Sequence, residues 1–323
     1  MKSAIVSALA WAFLCAGNAF AQSYPAAPVK LVVGFPPGGA NDILARLVGA
    51  KLQEAWGQPV VTENKPGANA IIATEFVAKS APDGYTLLIG ASGAMTFNPG
   101  LYQKLNYDPV RDFAPVTLLG SFPLVLAVNP SLPAQSVTEL IAHARGAGGK
   151  LNYAAGSTPF QLAAELFKIQ AGIAITHIPY KGSAAAVNSV MANDTQLTFV
   201  DAPPVVGQIR GGRLRGLAVT SRTRAASLPE LPTMIEAGMA DFEVVLWASL
   251  FAPAGTPRPV VDRIQQQIVR TLQRPEVRAH VGPGHHAGGQ HARRVGAHPA
   301  RRSRKVDPRG EERGREGGLR RSA

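Results

Sequence analysis

The chain has one cysteine in 323 residues, Cys15, and it stands in an apolar stretch at the amino terminus that is expected to be removed. A mature chain without cysteine has no disulfide framework, no thiol nucleophile and no cysteine metal site. Charged residues are sparse at 17% and aromatics at 7%. Beyond the amino terminus no apolar run approaches the roughly 20 residues that span a bilayer. Gly-x-Ser-x-Gly and His-Glu-x-x-His are missing as well, which removes the usual local signs of a serine hydrolase elbow or a zinc hydrolase. No cofactor, metal or catalytic residue is expected from such a chain.

What is present is a hydrophobic content of 46%, enough for a sizeable core, and a length that suits two domains. Lys2, the apolar run Ala4 to Ala16 and Ala19-Phe20-Ala21 read as a signal peptide cut after Ala21, which implies export. The net charge of +12 is unevenly placed. From His280 to Ala323 there are 11 Lys or Arg against 4 Asp or Glu, so the tail supplies more than half of it. Polyanion binding therefore rests on the tail, and no nucleic-acid partner is expected.

Lys30 to Arg46 reads as strand, glycine turn and helix. Leu31-Val32-Val33 suits a buried parallel strand, Pro36-Pro37 stops it, and Gly38-Gly39 opens a turn before a helix from about Asp42 to Trp56. The first turn of a helix carries unpaired N–H groups and a partial positive charge, so it suits a carboxylate or phosphate. A strand at Val60-Val61, a helix Ala70 to Lys79 and a strand Thr86 to Gly90 follow, the last leading into a small polar loop, Ala91 to Asn98. This β-α-β-α-β alternation implies a parallel sheet with ligands at the carboxyl ends of its strands.

Val116 to Val128 reads as a long extended run, broken by Pro123, that crosses to a second unit. There the helix Ser136 to Arg145, the strand Leu151 to Ala154, the turn Ala155-Gly156-Ser157-Thr158-Pro159 and the helix Phe160 to Gln170 repeat the opening design, with Thr158 able to cap the last helix. Pro179-Tyr180-Lys181-Gly182-Ser183 precedes a helix of small residues to Met191, and the strand Gln196 to Val200 ends in a turn at Asp201-Ala202-Pro203-Pro204. Leu214 to Ser221 is a further strand, Val244 to Ala252 a return crossing, and a helix runs from Thr256-Pro257 to Gln273.

Five runs in register carry a family resemblance: Phe35-Pro36-Pro37-Gly38-Gly39 with Asp42 and Ala45-Arg46, Asn64-Lys65-Pro66-Gly67-Ala68, Ala81-Pro82-Asp83-Gly84-Tyr85-Thr86-Leu87, Ile178-Pro179-Tyr180-Lys181-Gly182 and Ala252-Pro253-Ala254-Gly255-Thr256-Pro257. Over roughly Tyr24 to Arg278 the chain resembles the extracytoplasmic solute receptors of tripartite tricarboxylate transporters, the Bug proteins. The resemblance implies an α/β, two-lobed periplasmic binding protein of the type II, Venus-flytrap kind, with two Rossmann-like domains around a cleft. Lobe 1 is expected over 22–121 plus about 225–279, and lobe 2 over 122–224. It also implies a monomer that captures a small carboxylate and presents it to the membrane subunits of the transporter.

Carried over by position, the first lobe offers Phe35, Pro37, Gly38, Gly39 and Asp42, with Ser92, Thr96 and Asn98, and the second offers Gly156, Ser157, Thr158, Lys181 and Asp201. Each also has a plainer role. Asp42 suits a helix N-terminus, Ser157 and Thr158 suit caps, Lys181 a solvated turn, and Asp201 a strand end, while His177 reads as structural. Ala70 stands where a glycine is expected, and Gln161 where a histidine is frequent. The rival reading is an exported α/β enzyme acting on small acids. Family members continue past residue 279 with a strand and a long helix, whereas 280–323 is a Gly, Arg and His-rich tail without apolar periodicity. A disordered tail arising from a shift of reading frame near Ala279 is the expectation, which translating the other frames would test.

Overall fold

The computed structural model describes residues 24–148 and 150–278. The expected signal peptide and basic tail lie outside the described residues.

Strand β1 (Val29–Val33) is buried except at Lys30, because β2 (Val60–Asn64) and β3 (Thr86–Ala91) flank it in parallel and helices cover the sheet. Helix α1 (Ala40–Trp56) turns Ala40, Leu44, Ala45, Val48 and Leu52 inward at helical spacing. It stops at Gly57, whose left-handed conformation (φ 65°) lets its N–H reach the carbonyl of Gln53. Helix α2 (Ile71–Ala78) follows a single tight turn in which Ala68, Asn69 and Ala70 all adopt positive φ. After β3, the expected polar loop instead winds into a wide π turn over Gly93–Phe97 and the short helix α3 (Asn98–Leu101).

Strand β4 (Phe113–Val128) is long enough to belong to both halves of the molecule. Its residues Phe113 to Pro123 pair antiparallel with β9 (Val245–Pro253), which pairs in turn with β3. Leu124 to Val128 lie instead between β7 (Leu197–Asp201) and β8 (Arg215–Val219). Pro123 does not break the strand. It marks the place where the partner changes, where a missing N–H removes no ladder bond that another strand needs. The second half is completed by β5 (Asn152–Ala155) between β7 and β6 (Thr176–Pro179), giving the order β2-β1-β3-β9-β4-β7-β5-β6 with β8 beside β4.

Helices α4 (Val137–Gly146), α5 (Thr158–Ala171), α6 (Ser183–Met191) and α7 (Ala202–Arg210) belong to the second half. Ser136 caps α4 by accepting from the Glu139 N–H. The cap residue of α5 is Ser157, with Thr158 already inside the helix. Helix α7 takes the place of an expected turn, since Pro203 and Pro204 fall in the first turn, where a helix needs no N–H from them.

The apolar cores are separate. One joins Val29, Leu31, Leu44, Leu52, Leu119 and Ile264, with Val32, Leu88 and Phe251 on the other face of that sheet. The other joins Leu124, Tyr153, Phe167, Phe199 and Val219, and it includes Ala225, Leu228, Met234 and Phe242. The stretch 225–242, expected with the first lobe, packs in the second core. Among the described residues the chain passes from one core to the other along β4 and returns at the start of β9, where Val244 and Leu246 still pack on the second core. Helix α8 (Arg258–Leu272) places Val261, Ile264, Ile268 and Leu272 into the first core against α1, and α9 (Pro275–Arg278) follows it.

Candidate functional site

The turns after β1, β5, β6 and β7 open at one edge, where the two lobes face each other across a cleft. The first lobe lines it with Phe35, Pro36, Gly39, Ala40 and Asn41, and with Ala91, Ser92 and Gly93 after β3. The second contributes Gly156, Ser157, Pro159 and Phe160, Gly182 and Ser183, and Asp201. Phe122, Leu246 and Trp247 come from the crossing strands. Phe122 and Leu246 are directly opposed across the β4–β9 ladder, and the Trp247 N–H donates to the Ser92 hydroxyl at 3.4 Å.

Helix N-termini from both lobes converge on this space. At α1 the Ala40 N–H donates to the Asp201 carboxylate at 2.5 Å, while the N–H groups of Asn41 and Asp42 have no acceptor inside the helix. The Asn41 side-chain oxygen is buried at the cleft wall without a partner. Asp201 is 4% exposed, and the Ser183 hydroxyl at the start of α6 donates to it at 2.6 Å. Burial pushes its carboxyl upward, with the hydrogen bonds from Ser183 and Ala40 offsetting part of that rise. One acid of the second lobe thus closes over the N-terminus of the first lobe's leading helix.

Asp42 points elsewhere. It accepts from the Gly38 N–H at 3.0 Å, from Asn64 at 2.9 Å and from Arg46 at 3.1 Å, and Asn64 also donates to the Phe35 carbonyl at 3.0 Å. Burial raises its carboxyl, but these donors outweigh that and hold it below the ordinary aspartate value. The role of Asp42 is to fix the glycine turn, whose Gly38 needs φ 93°.

In the second lobe, Gly156 and Gly182 are back to back: the Gly182 N–H donates to the Gly156 carbonyl at 3.0 Å, and a Cβ on Gly156 would stand 2.2 Å from the Gly182 oxygen. A Cβ on Gly39 would meet the Ser183 hydroxyl at 3.2 Å, so the two jaws approach closely there. A second link across the cleft runs from the Thr158 N–H to the Asn69 side-chain oxygen at 3.2 Å.

Of the expected site residues, Phe35, Gly39, Ser92, Gly156, Ser157 and Asp201 line the cleft, and Pro37, Gly38, Asp42, Thr96, Asn98, Thr158 and Lys181 do not. Pro37, Thr96 and Lys181 are exposed. Asn98 is buried and donates to the Asn69 carbonyl and the Tyr107 hydroxyl, which holds the turn carrying Asn69. Ser183, Asn41, Phe122, Phe160 and Trp247 line the cleft without having been singled out. Ser183 had a signal, since it opens a helix straight after a strand and a glycine, as the other two turns do. The aromatic residues had none, because their meeting depends on the crossing strands.

Two α/β lobes joined by two crossing strands, with helix N-termini facing a shared cleft, define the two-lobed type II fold of periplasmic solute-binding proteins. The chain belongs to the tripartite tricarboxylate transporter family receptors, whose pattern matches residues 44–285. It is 39% identical to protein BugT of Bordetella pertussis over 256 residues, 78% of each chain. Among solved structures it resembles R. palustris Rpa4515 with adipate (TM-score 0.79, 35% identity, covering 85% of this chain and 95% of that one). It also resembles MatC from Rhodopseudomonas palustris with bound malate (TM-score 0.74, 31% identity, covering 80% and 88%). Receptors of this family are periplasmic solute-binding proteins. Among the described residues no helix is long and apolar enough to cross a membrane, and no group of three metal-ligating side chains occurs.

Proposed function

We propose that this chain captures a small carboxylate in the cleft and delivers it, as a monomer, to the membrane subunits of a tripartite transporter. It acts without catalysis and without a nucleic-acid partner. The observation that carries the reading is the meeting of the α1 N-terminus with the Ser157 and Ser183 turns around one cavity. Backbone N–H groups and hydroxyls there suit an anion, and closing the lobes excludes water and strengthens those bonds. The relatives solved with adipate and with malate support a carboxylate as the solute.

In this reading Phe35, Gly39, Asn41, Ser92, Gly156, Ser157 and Ser183 contact the ligand, and Asp42, Asn98 and Thr158 shape the loops. The signal peptide is cut after Ala21, releasing the receptor into the periplasm. The lobes divide at Pro123 and Leu124 on the way out and at Val244 and Val245 on the way back, so that 225–242 goes with the second lobe whose core it enters. Calorimetric titration of the processed chain with adipate, malate, citrate and benzoate is expected to show saturable one-to-one binding of at least one acid. A folded protein that binds none of them would overturn the reading.

A further inference from the structure

Helix α5 of the second lobe is not capped by its own sequence. The Ser157 side chain, at the cap position, makes no bond to the helix, and Pro159 in the first turn has no N–H. The Phe160 and Gln161 N–H groups turn back to the Ser157 carbonyl, each at 3.2 Å. The Thr158 N–H is left over, and its acceptor comes from the other lobe, the Asn69 side-chain oxygen at 3.2 Å. Pro159 of the same turn also lies against the first lobe, where a Cβ on Gly93 would stand 3.2 Å from its ring.

Asn69 is held ready for that reach. It is the middle of three consecutive non-glycine residues at positive φ, 46° at Ala68, 51° at Asn69 and 68° at Ala70, a region that asparagine tolerates better than most side chains do. The Asn98 amide donates to the Asn69 carbonyl at 3.0 Å, and Asn98 is itself buried against the Tyr107 hydroxyl. The Asn69 amide nitrogen donates to the Tyr102 hydroxyl at 2.9 Å, which turns its oxygen towards Thr158. All of these supports lie in the first lobe. Parting the lobes therefore breaks the bond to Thr158 and spares the others. Resting on the reading of the cleft as the solute site, we propose that Asn69 is a closing latch, a first-lobe side chain that caps α5 of the second lobe only when the lobes meet and so holds the cleft shut over a captured solute.

The test measures the small-angle scattering radius and the solute release rate of the processed full chain, with adipate, malate, citrate and benzoate as probes. Asn69→Gly keeps a residue suited to positive φ and removes the reach, while Thr158→Pro removes the donor at a helix position that suits proline. The two changes come from opposite lobes, so one failing to fold leaves the other to decide. Each is expected to melt close to the parent, to show a larger radius without added acid, and to release a bound acid about fivefold faster, the size of one lost cap. Asn69→Asp keeps the acceptor and is expected to retain the parent's radius and release rate. If Asn69 served only its own turn, Asn69→Gly would leave both at the parent's values. A folded Asn69→Gly or Thr158→Pro chain with the parent's radius or release rate would overturn the latch. Should the folded parent bind none of the four acids, the receptor reading falls, and the radius alone still decides whether Asn69 joins the lobes.

Discussion

Asp201 is the residue at which burial and charge meet in the cleft. Its carboxyl is raised by burial, so the folded chain holds the proton more tightly than the unfolded one does. Its contribution to stability is full below the ordinary aspartate range and is lost as pH rises through the shifted value. The same sign applies to capture of an anion, because a neutral Asp201 repels it less and can donate to it. Affinity for a carboxylate is expected to rise as pH falls through that shifted value, and Asp201→Asn should flatten the profile; calorimetry across pH 5 to 8 (approximate limits chosen to keep the ligand ionised) checks both. A profile equally steep in the variant would remove Asp201 as the cause. Asp42, the other acid at this end of α1, is held below the ordinary value by Arg46, Asn64 and Gly38, so it stays ionised through that window. Its stabilising effect is present above the ordinary aspartate pKa and is lost as pH falls through the depressed one. Asp42→Ala strips four hydrogen bonds from a buried position and should cost about 1–3 kcal/mol, read from denaturant melts.

At the scale of elements, the site is a set of strand-to-helix turns held at fixed distances. Gly156 shows the tolerance: its missing Cβ would stand 2.2 Å from one backbone atom and 2.3 Å from the next, both in Gly182, and backbone cannot swing aside as a side chain can. Gly156→Ala is therefore expected to push the turns after β5 and β6 apart and to destabilise the chain by about 1–3 kcal/mol, with a matching loss of ligand affinity. Unchanged melting and binding would mean that the second jaw is softer than its packing implies. These turns were also the most legible part of the chain. Pro36-Pro37-Gly38-Gly39 and Gly156-Ser157-Thr158-Pro159 follow short apolar runs and precede helical periodicity, which local chemistry alone dictates. The bond from Ala40 to Asp201 was not legible, because it joins residues 161 positions apart and depends on how the lobes close. Helix α7 was hidden by Pro203 and Pro204, which read as turn formers until their place in a first turn is known. The turn over Gly93–Phe97 was hidden by small residues that carry no period. Asp42 was legible as a helix-starting acid, but its hold on Asn64 required the register of β1 on β2.

On the scale of the whole molecule, the two lobes are joined along β4 and where the chain returns into β9. At the crossing the β4 ladder changes partner, and one buried side chain bridges the gap. The Thr220 hydroxyl accepts from the Leu124 N–H at 2.8 Å and donates to the Val244 carbonyl at 2.5 Å, so it ties the outgoing strand to the returning chain. The Thr220 backbone adds bonds to both, at 2.9 and 3.0 Å. Since Thr220 is fully buried, a lost hydroxyl leaves the Leu124 N–H and the Val244 carbonyl without water to replace it. Thr220→Val keeps the shape and removes those two bonds, which should cost about 1–3 kcal/mol of stability. It should also loosen the angle between the lobes. Small-angle scattering with and without a bound carboxylate distinguishes the two consequences: the variant is expected to show a larger radius than the parent without ligand and to return to the parent's radius when saturated. A variant that melts earlier but scatters identically in both states would place Thr220 in the stability of the second lobe alone, and would move the hinge away from Leu124 and Val244.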